Sequence, residues 1–389
     1  MPLSPTLTWT ESGHVHTARW RSENGAVLPR RVVVADDQTR ADDALKLARE
    51  GGVLLWRGDF QSARLLLQAM GRRLDRTGAR AASTSSSPAP ETPAGAAVPA
   101  EAFHRHRLAQ AQRSRLLSAV TVLLEADYAI ALRRAPDLRL ACAEAYGAPD
   151  GQASVVSLRE LLGLVGAHEW RKKGVPIAAA GGRIHAHYGV FSPVRGEYID
   201  LVAAAPLPSQ ALAFDIGTGT GVLAAVLAQR GVQRIVATEL DDRALACAAD
   251  NLQRLGHAGQ VELVKADLFP PGRAPLVVCN PPWLPGKPSS SIEHAIYDPD
   301  SRMLRGFLHG LSEHLTPGGQ GWLVLSDLAE HLGLRRRAEL LAWIDQAGLR
   351  VLACPTIRPR HPKAGDAGDV LHAARSAEVT ALWQLVAKA

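Results

Sequence analysis

From residue 211 onward, short apolar runs alternate with longer stretches in which apolar residues recur every three or four positions. "ALAFDIG", "RIVATEL", "VELVKAD", "PLVVCN" and "GWLVLS" have the length and branching of buried strands. "GVLAAVLAQRG", "DRALACAADNLQRLG", "SRMLRGFLHGLSEHL" and "AEHLGLRRRAELLAWIDQAG" have helical spacing, and Gly256 and "TPGG" sit where two of these helices end. "LRVLAC" and "VTALWQLV" close the chain as two further strands. Strands alternating with helices predict a mainly parallel α/β sheet with helices on both faces. Ligands of such sheets sit beyond the carboxyl ends of the strands.

The first half is less regular. "RRVVVADD" reads as a strand, and "ADDALKLAREGG" and "DFQSARLLLQAMGRRL" read as helices, giving a small α/β module over residues 1–77. Residues 78–101, "GARAASTSSSPAPETPAGAAVPAE", offer almost nothing to bury and read as a flexible linker. Residues 102–183 carry a helical pattern broken at Pro136 and read as a mainly helical, substrate-recognising region. "GGRIHAHYGVFSPVRGEYIDLVAAAP" reads as a hairpin or strand pair leading into a short helix, and residues 184–389 form the regular α/β domain.

Composition narrows the class. Of 389 residues, 47% are hydrophobic and 21% charged, which suits a soluble globular protein of two or three domains. No apolar run approaches the length of a membrane span, and the opening "MPLSPTLTWTESGH" lacks the basic-then-apolar pattern of a secretion signal. Cys142, Cys247, Cys279 and Cys354 are widely spaced, which predicts neither a metal site nor a disulfide framework and favours a reducing cytoplasm. The net charge of +6 lies wholly in residues 1–200, with 26 Lys and Arg against 20 Asp and Glu. Arg105, Arg107, Arg113 and Arg115, with His104 and His106, make one helical stretch a candidate phosphate contact, the alternative being a solvated helix face.

The candidate chemistry starts at "FDIGTGTGVLAAVLAQ". Gly217, Gly219 and Gly221 allow a tight strand-to-helix turn and close approach of a ligand to the backbone. The spacing is G-x-G-x-G, preceded by Asp215, whereas a dinucleotide fingerprint is G-x-G-x-x-G. An acid before the turn repels a pyrophosphate but suits S-adenosylmethionine, which carries an ammonium and a sulfonium and no phosphate. The second strand ends at Glu239, 24 residues after Asp215, where an acid can accept both ribose hydroxyls. The third leads to Asp267, placed to accept from an adenine amino group. The fourth ends in Asn280-Pro281-Pro282-Trp283, where two prolines stop the ladder and stiffen the corner that follows.

"DIGTGTG", "TELDD", "KADLF" and "NPPW" at these spacings resemble the class I S-adenosylmethionine-dependent methyltransferases. More narrowly they resemble the HemK/PrmC-type glutamine methyltransferases and their small-domain relatives that methylate exocyclic amines of ribosomal RNA or DNA. "GVFSPVRGEYIDLV" supports the resemblance, which covers about residues 184–389. It implies a Rossmann-like seven-stranded sheet whose last strand is antiparallel, with S-adenosylmethionine as donor. It further implies an N-methyltransferase in which Asn280 and the Pro281 carbonyl each accept one N–H of an acceptor NH₂ group, while Trp283 stacks on the acceptor's flat face. The acceptor implied first is a glutamine of a translation protein; an RNA or DNA base amine is the alternative, to which the basic first half lends weight. Trp283 stands where the glutamine enzymes carry Tyr, and the first half does not match their short helical substrate domain. A hydride-transferring Rossmann enzyme and a non-catalytic binding module are the competing readings. The glycine spacing speaks against the first and Asn280 against the second.

Overall fold

The structure, a computed structural model, describes residues 5–84, 100–194, 196–360 and 369–388. The chain divides into two compact units. One draws on Met1–Thr92 and His104–Glu169, the other on Pro93–Phe103 and Trp170–Ala389.

The first unit is built on a six-stranded sheet: β1 (Thr6–Glu11), β2 (His14–Arg21), β3 (Arg31–Ala35), β4 (Gly52–Trp56), β5 (Val120–Leu124) and β6 (Ser154–Ser157), in the spatial order β1-β2-β6-β5-β4-β3. Ser12 and Gly13, both at positive φ, close the β1–β2 hairpin, a turn whose twist matches the flanking strands. Helices α1 (Ala41–Arg49), α2 (Phe60–Thr84) and α3 (Ala100–Leu117) lie between β3, β4 and β5, which pair in parallel; α4 (Arg139–Tyr146) and α5 (Leu158–Lys173) precede and follow β6. This sheet crosses the boundaries expected from the sequence. Helices α3, α4 and α5 dominate residues 102–183, but the region also supplies two strands to this sheet: Val120-Thr121-Val122 is a β-branched run buried on both sides, and Ser154–Ser157 is buried at every position. Both strands pair with the N-terminal ones. Of the expected linker, residues 78–84 continue α2, α3 begins at Ala100, and residues 85–99 lie outside the described residues.

The second unit opens with a short hairpin, β7 (Val175–Ile177) with β8 (Gly182–Ile184), and then α6 (Glu197–Ala204). The main sheet comprises β9 (Leu212–Ile216), β10 (Arg234–Glu239), β11 (Val261–Lys265), β12 (Ala274–Cys279), β13 (Leu315–Ser326), β14 (Leu349–Ala353), β15 (Thr356–Ile357) and β16 (Thr380–Ala387). Its order is β11-β10-β9-β12-β13-β16-β14, with β15 a two-residue addition on β16. The first five strands are parallel and β16 is antiparallel to both neighbours, the Rossmann-like methyltransferase arrangement expected from the motifs. α7 (Val222–Gln229) is buried from Val222 through Ala228, because the sheet lies on one side and Ile177, Ala180, Ile184 and Tyr198 pack into the same core. α8 (Asp242–Arg254) follows β10. α9 (Arg302–His314) covers the opposite face through Leu304, Phe307, Leu308 and Leu311. The stretch expected as one helix after β13 is two, α10 (Leu328–His331) and α11 (Arg337–Gln346), because Gly333 adopts positive φ between them. Among the described residues no helix is long and apolar enough to cross a membrane.

α9 lies so close to β13 that a Cβ on Gly321 would meet both Cδ atoms and, at 3.0 Å, the Cγ of fully buried Leu311. Gly321→Ala is therefore expected to destabilise the protein by about 1–3 kcal/mol through overpacking. Chemical denaturation checks it; an unchanged unfolding midpoint contradicts this packing.

Candidate active site

Strand register assembles the candidate site. Ile216 of β9 pairs with Thr238 of β10 and Cys279 of β12, so Gly217, Glu239 and Asn280 emerge side by side at the carboxyl ends. Glu239 pairs with Lys265 of β11, which places Asp267 two residues beyond the next strand end. Residues up to 63 positions apart in sequence thus share one rim, in the order Asn280, Gly217, Glu239, Asp267.

The glycine turn is held from inside. Gly217, Gly219 and Gly221 all take positive φ, which side chains with a Cβ adopt only at a cost. Asp215 is 1% exposed, and its Oδ2 accepts from the Thr218 hydroxyl at 2.6 Å and the Ala224 N–H at 3.1 Å. This carboxylate, expected beside the donor's ammonium, braces the turn and the start of α7 in the fold. Buried Asn251 of α8 adds a second brace, donating to the Thr220 carbonyl at 3.0 Å and accepting from the His185 N–H at 2.8 Å. A Cβ on Gly217 would lie 2.5 Å from Met303 Cε, whereas one on Gly219 would meet nothing within 4 Å. The turn is closed over by Met303 at one glycine and open at the next.

Glu239 is half-buried and fixed by backbone donors: Gly219 N–H to Oε2 at 3.1 Å, and the Leu240 and Asp241 N–H groups to Oε1 at 2.8 and 3.2 Å. Oε1 already accepts two N–H groups, so Oε2, which accepts one, is the oxygen that keeps lone-pair capacity for a hydroxyl donor. Asp267 is exposed and ion-paired with Arg302 at the start of α9. Leu268 beside it sits at φ 74°, and its carbonyl accepts from the Thr238 hydroxyl at 2.5 Å.

Asn280 ends β12 half-buried. The Trp283 indole Nε1–H donates to its Oδ1 at 2.9 Å, and buried Tyr198 of α6 lies against the indole. The Tyr198 and Trp283 rings meet edge to face, centroids 6.4 Å apart. Pro281 is buried, and the chain returns through a bridge between Leu284 and Tyr297. Asp298 then caps α9, accepting from the Met303 and Leu304 N–H groups at 3.0 Å each. Asp300 and Ser301 between them both take positive φ, a strained pair held by that cap.

The structure brings Asp215, the glycines, Glu239, Asp267 and Asn280, all expected from the sequence, together at one strand-end rim. Tyr198, Thr218, Asn251, Arg302 and Met303 are not among the expected residues; Thr218 lies within "DIGTGTG" and the tyrosine within "GVFSPVRGEYIDLV", segments already singled out, but their roles depend on packing. In the first unit the arginine-rich stretch does not present one uniform cationic face. Arg113 is ion-paired with Asp75 at 3.0 Å and half-buried like Arg107, while Arg105 and Arg115 are exposed.

Burial pushes the Asp215 carboxyl up to about 6, against the stabilising bonds from Thr218 and Ala224. Between the ordinary carboxylate range and about pH 6 the folded protein holds a proton that the unfolded chain has released. Stability from this group therefore falls as pH rises through that window and is level above it. Relative to Asp215→Asn, the wild type should gain stability as pH falls from 7 to 4. Denaturant unfolding at several pH values checks this, and parallel profiles for the two proteins contradict it.

Residues 181–336 match the methyltransferase small domain. Among curated proteins, the release factor glutamine methyltransferase of Cereibacter sphaeroides is 31% identical over 181 residues, covering 43% of this chain and 63% of its own. A tRNA1(Val) (adenine(37)-N6)-methyltransferase of Bacteroides fragilis is 32% identical over 158 residues, covering 36% and 66%. This chain thus spans somewhat less than two thirds of the length of either relative. Among solved structures, the ribosomal protein L11 methylase of Lactobacillus delbrueckii subsp. bulgaricus is 17% identical, with a TM-score of 0.36 over 53% of this chain and 86% of that one. Residues 181–336 thus match the methyltransferase small domain, and over this stretch the chain is similar to class I S-adenosylmethionine-dependent methyltransferases of the HemK-like type.

Proposed function

We propose that this protein is an N-methyltransferase that uses S-adenosylmethionine to methylate a planar nitrogen bearing an NH₂ group, first of all the side-chain amide of a glutamine in a translation protein. The observation that carries the reading is the Asn280 carboxamide, fixed at the end of β12 directly beside the glycine turn.

The residues fit the donor. The space over Gly219 is open, so a ligand can lie against the turn, and Glu239 presents a carboxylate already anchored by three backbone N–H groups. In this reading Glu239 holds the ribose hydroxyls and Asp267, turned by Arg302, faces the adenine amine. Asp215 acts on the donor through the turn that it braces. When bound, S-adenosylmethionine supplies a methyl group on an electrophilic sulfonium.

The acceptor needs orientation rather than a strong base. The lone pair of an amide or aryl amine nitrogen is conjugated, and the nitrogen reacts only when that pair is aimed at the methyl group. The Asn280 Oδ1 and the Pro281 carbonyl each accept one N–H, which fixes the nitrogen and relieves positive charge as it develops. A protein acceptor is supported by the resemblance to a release factor glutamine methyltransferase. The exocyclic amine of an RNA adenine is the second reading, supported by comparable identity to a tRNA adenine-N6 methyltransferase. The first unit is proposed to select between them.

Tritiated methyl transfer into separated protein and RNA fractions from cells lacking this protein tests the reading; label in the protein fraction supports glutamine, and label in neither overturns it. Asn280→Ala should lower kcat by about 10²–10³ with donor affinity nearly unchanged, as for loss of one preorganised polar partner; a wild-type rate contradicts the orienting role. Glu239→Ala should weaken donor binding by roughly 1–3 kcal/mol. Unaltered affinity by calorimetry removes Glu239 from the donor site.

A further inference from the structure

An asparagine carboxamide can turn over about its last side-chain bond and present either oxygen or NH₂ to the same spot. The two states are opposite for an incoming N–H: one accepts it and the other repels it. Something must choose between them before the acceptor arrives.

The Trp283 indole nitrogen is a donor only, so its 2.9 Å partner on Asn280 must be the oxygen. In the flipped state two N–H groups would face each other. Buried Tyr198 packs against the indole from α6, an element remote in sequence. Tyr198 meets Trp283 at 89°, so the two rings also fix one another. Trp283 is packed against the cores on both faces of the sheet, which suits a brace better than an open platform for stacking.

We infer that Trp283, its ring held by Tyr198, is a positioning residue that locks the Asn280 carboxamide with its oxygen in one orientation, leaving the oxygen's second lone pair for the acceptor N–H. This rests on the N-methyltransferase reading and assigns the tryptophan a role different from stacking on the substrate. The lock acts through Asn280, so its loss slows methyl transfer without weakening either ligand.

Trp283→Phe separates the two roles, because it keeps an aromatic face and removes the N–H. With tritiated S-adenosylmethionine and the ribosomal and translation-factor fraction of cells lacking the protein, Trp283→Phe should lower the single-turnover rate about tenfold. The half-saturating acceptor concentration and the donor Kd should stay within twofold. In an Asn280→Ala background Trp283→Phe should have no further effect. A wild-type rate for Trp283→Phe, with Trp283→Ala raising only the acceptor requirement, overturns the lock in favour of stacking. The contact has a readout apart from activity: in ¹⁵N-tryptophan-labelled protein the Trp283 indole N–H resonance should shift upfield in Asn280→Leu, and an unmoved resonance overturns the lock. If the wild type labels nothing in the fraction while that resonance does shift, the lock stands as a contact and the N-methyltransferase reading is what fails.

Discussion

The parallel register of β11, β10, β9 and β12 is the constraint on which the rest depends. It brings Asp267, Glu239, Gly217 and Asn280 to one edge, although the chain between them runs through two helices and several turns. A slip of one residue in any of these strands would send the terminal side chain to the other face of the sheet. The helices on both faces specify the register by burying every inward position, and α7, with no exposed apolar stripe to spare, packs between the sheet and the residues that lead into α6.

Around that edge, side chains that do not face the open side hold those that do. Asp215 and Asn251 shape the glycine turn, backbone N–H groups fix Glu239, Arg302 turns Asp267, and Trp283, held by the Tyr198 ring, grips Asn280. Asp298 anchors the return into α9 and, with it, Met303 over Gly217. The buried Asp215 carboxylate and the strained Asp300–Ser301 pair reduce stability locally, and the surrounding bonds offset that cost.

How much of this was legible in the sequence follows from the range of the interactions. The strands and helices after residue 211, the glycine turn and the acids at strand ends are local patterns, and the fold class and rim followed from them. The braces were not legible, because Tyr198 and Trp283 are 85 positions apart and nothing local marks their contact. Trp283 was legible as a site residue, but an indole N–H bond to a residue three positions away has no periodic signature. In the first unit, Val120–Leu124 hid inside a helical-looking segment because its partner strand β4 lies more than sixty residues earlier. The split of that sheet around α2 and α3 made one domain look like two in sequence.

The central claim is that Asn280 orients a planar nitrogen toward the methyl donor. Tandem mass spectrometry of acceptor labelled from deuterated-methyl S-adenosylmethionine locates the transferred group directly. The account predicts the methyl on a glutamine amide nitrogen or, in the second reading, on the exocyclic nitrogen of an RNA base. A methyl on a carboxylate oxygen, a thiol, a lysine amine or a ring carbon would contradict it.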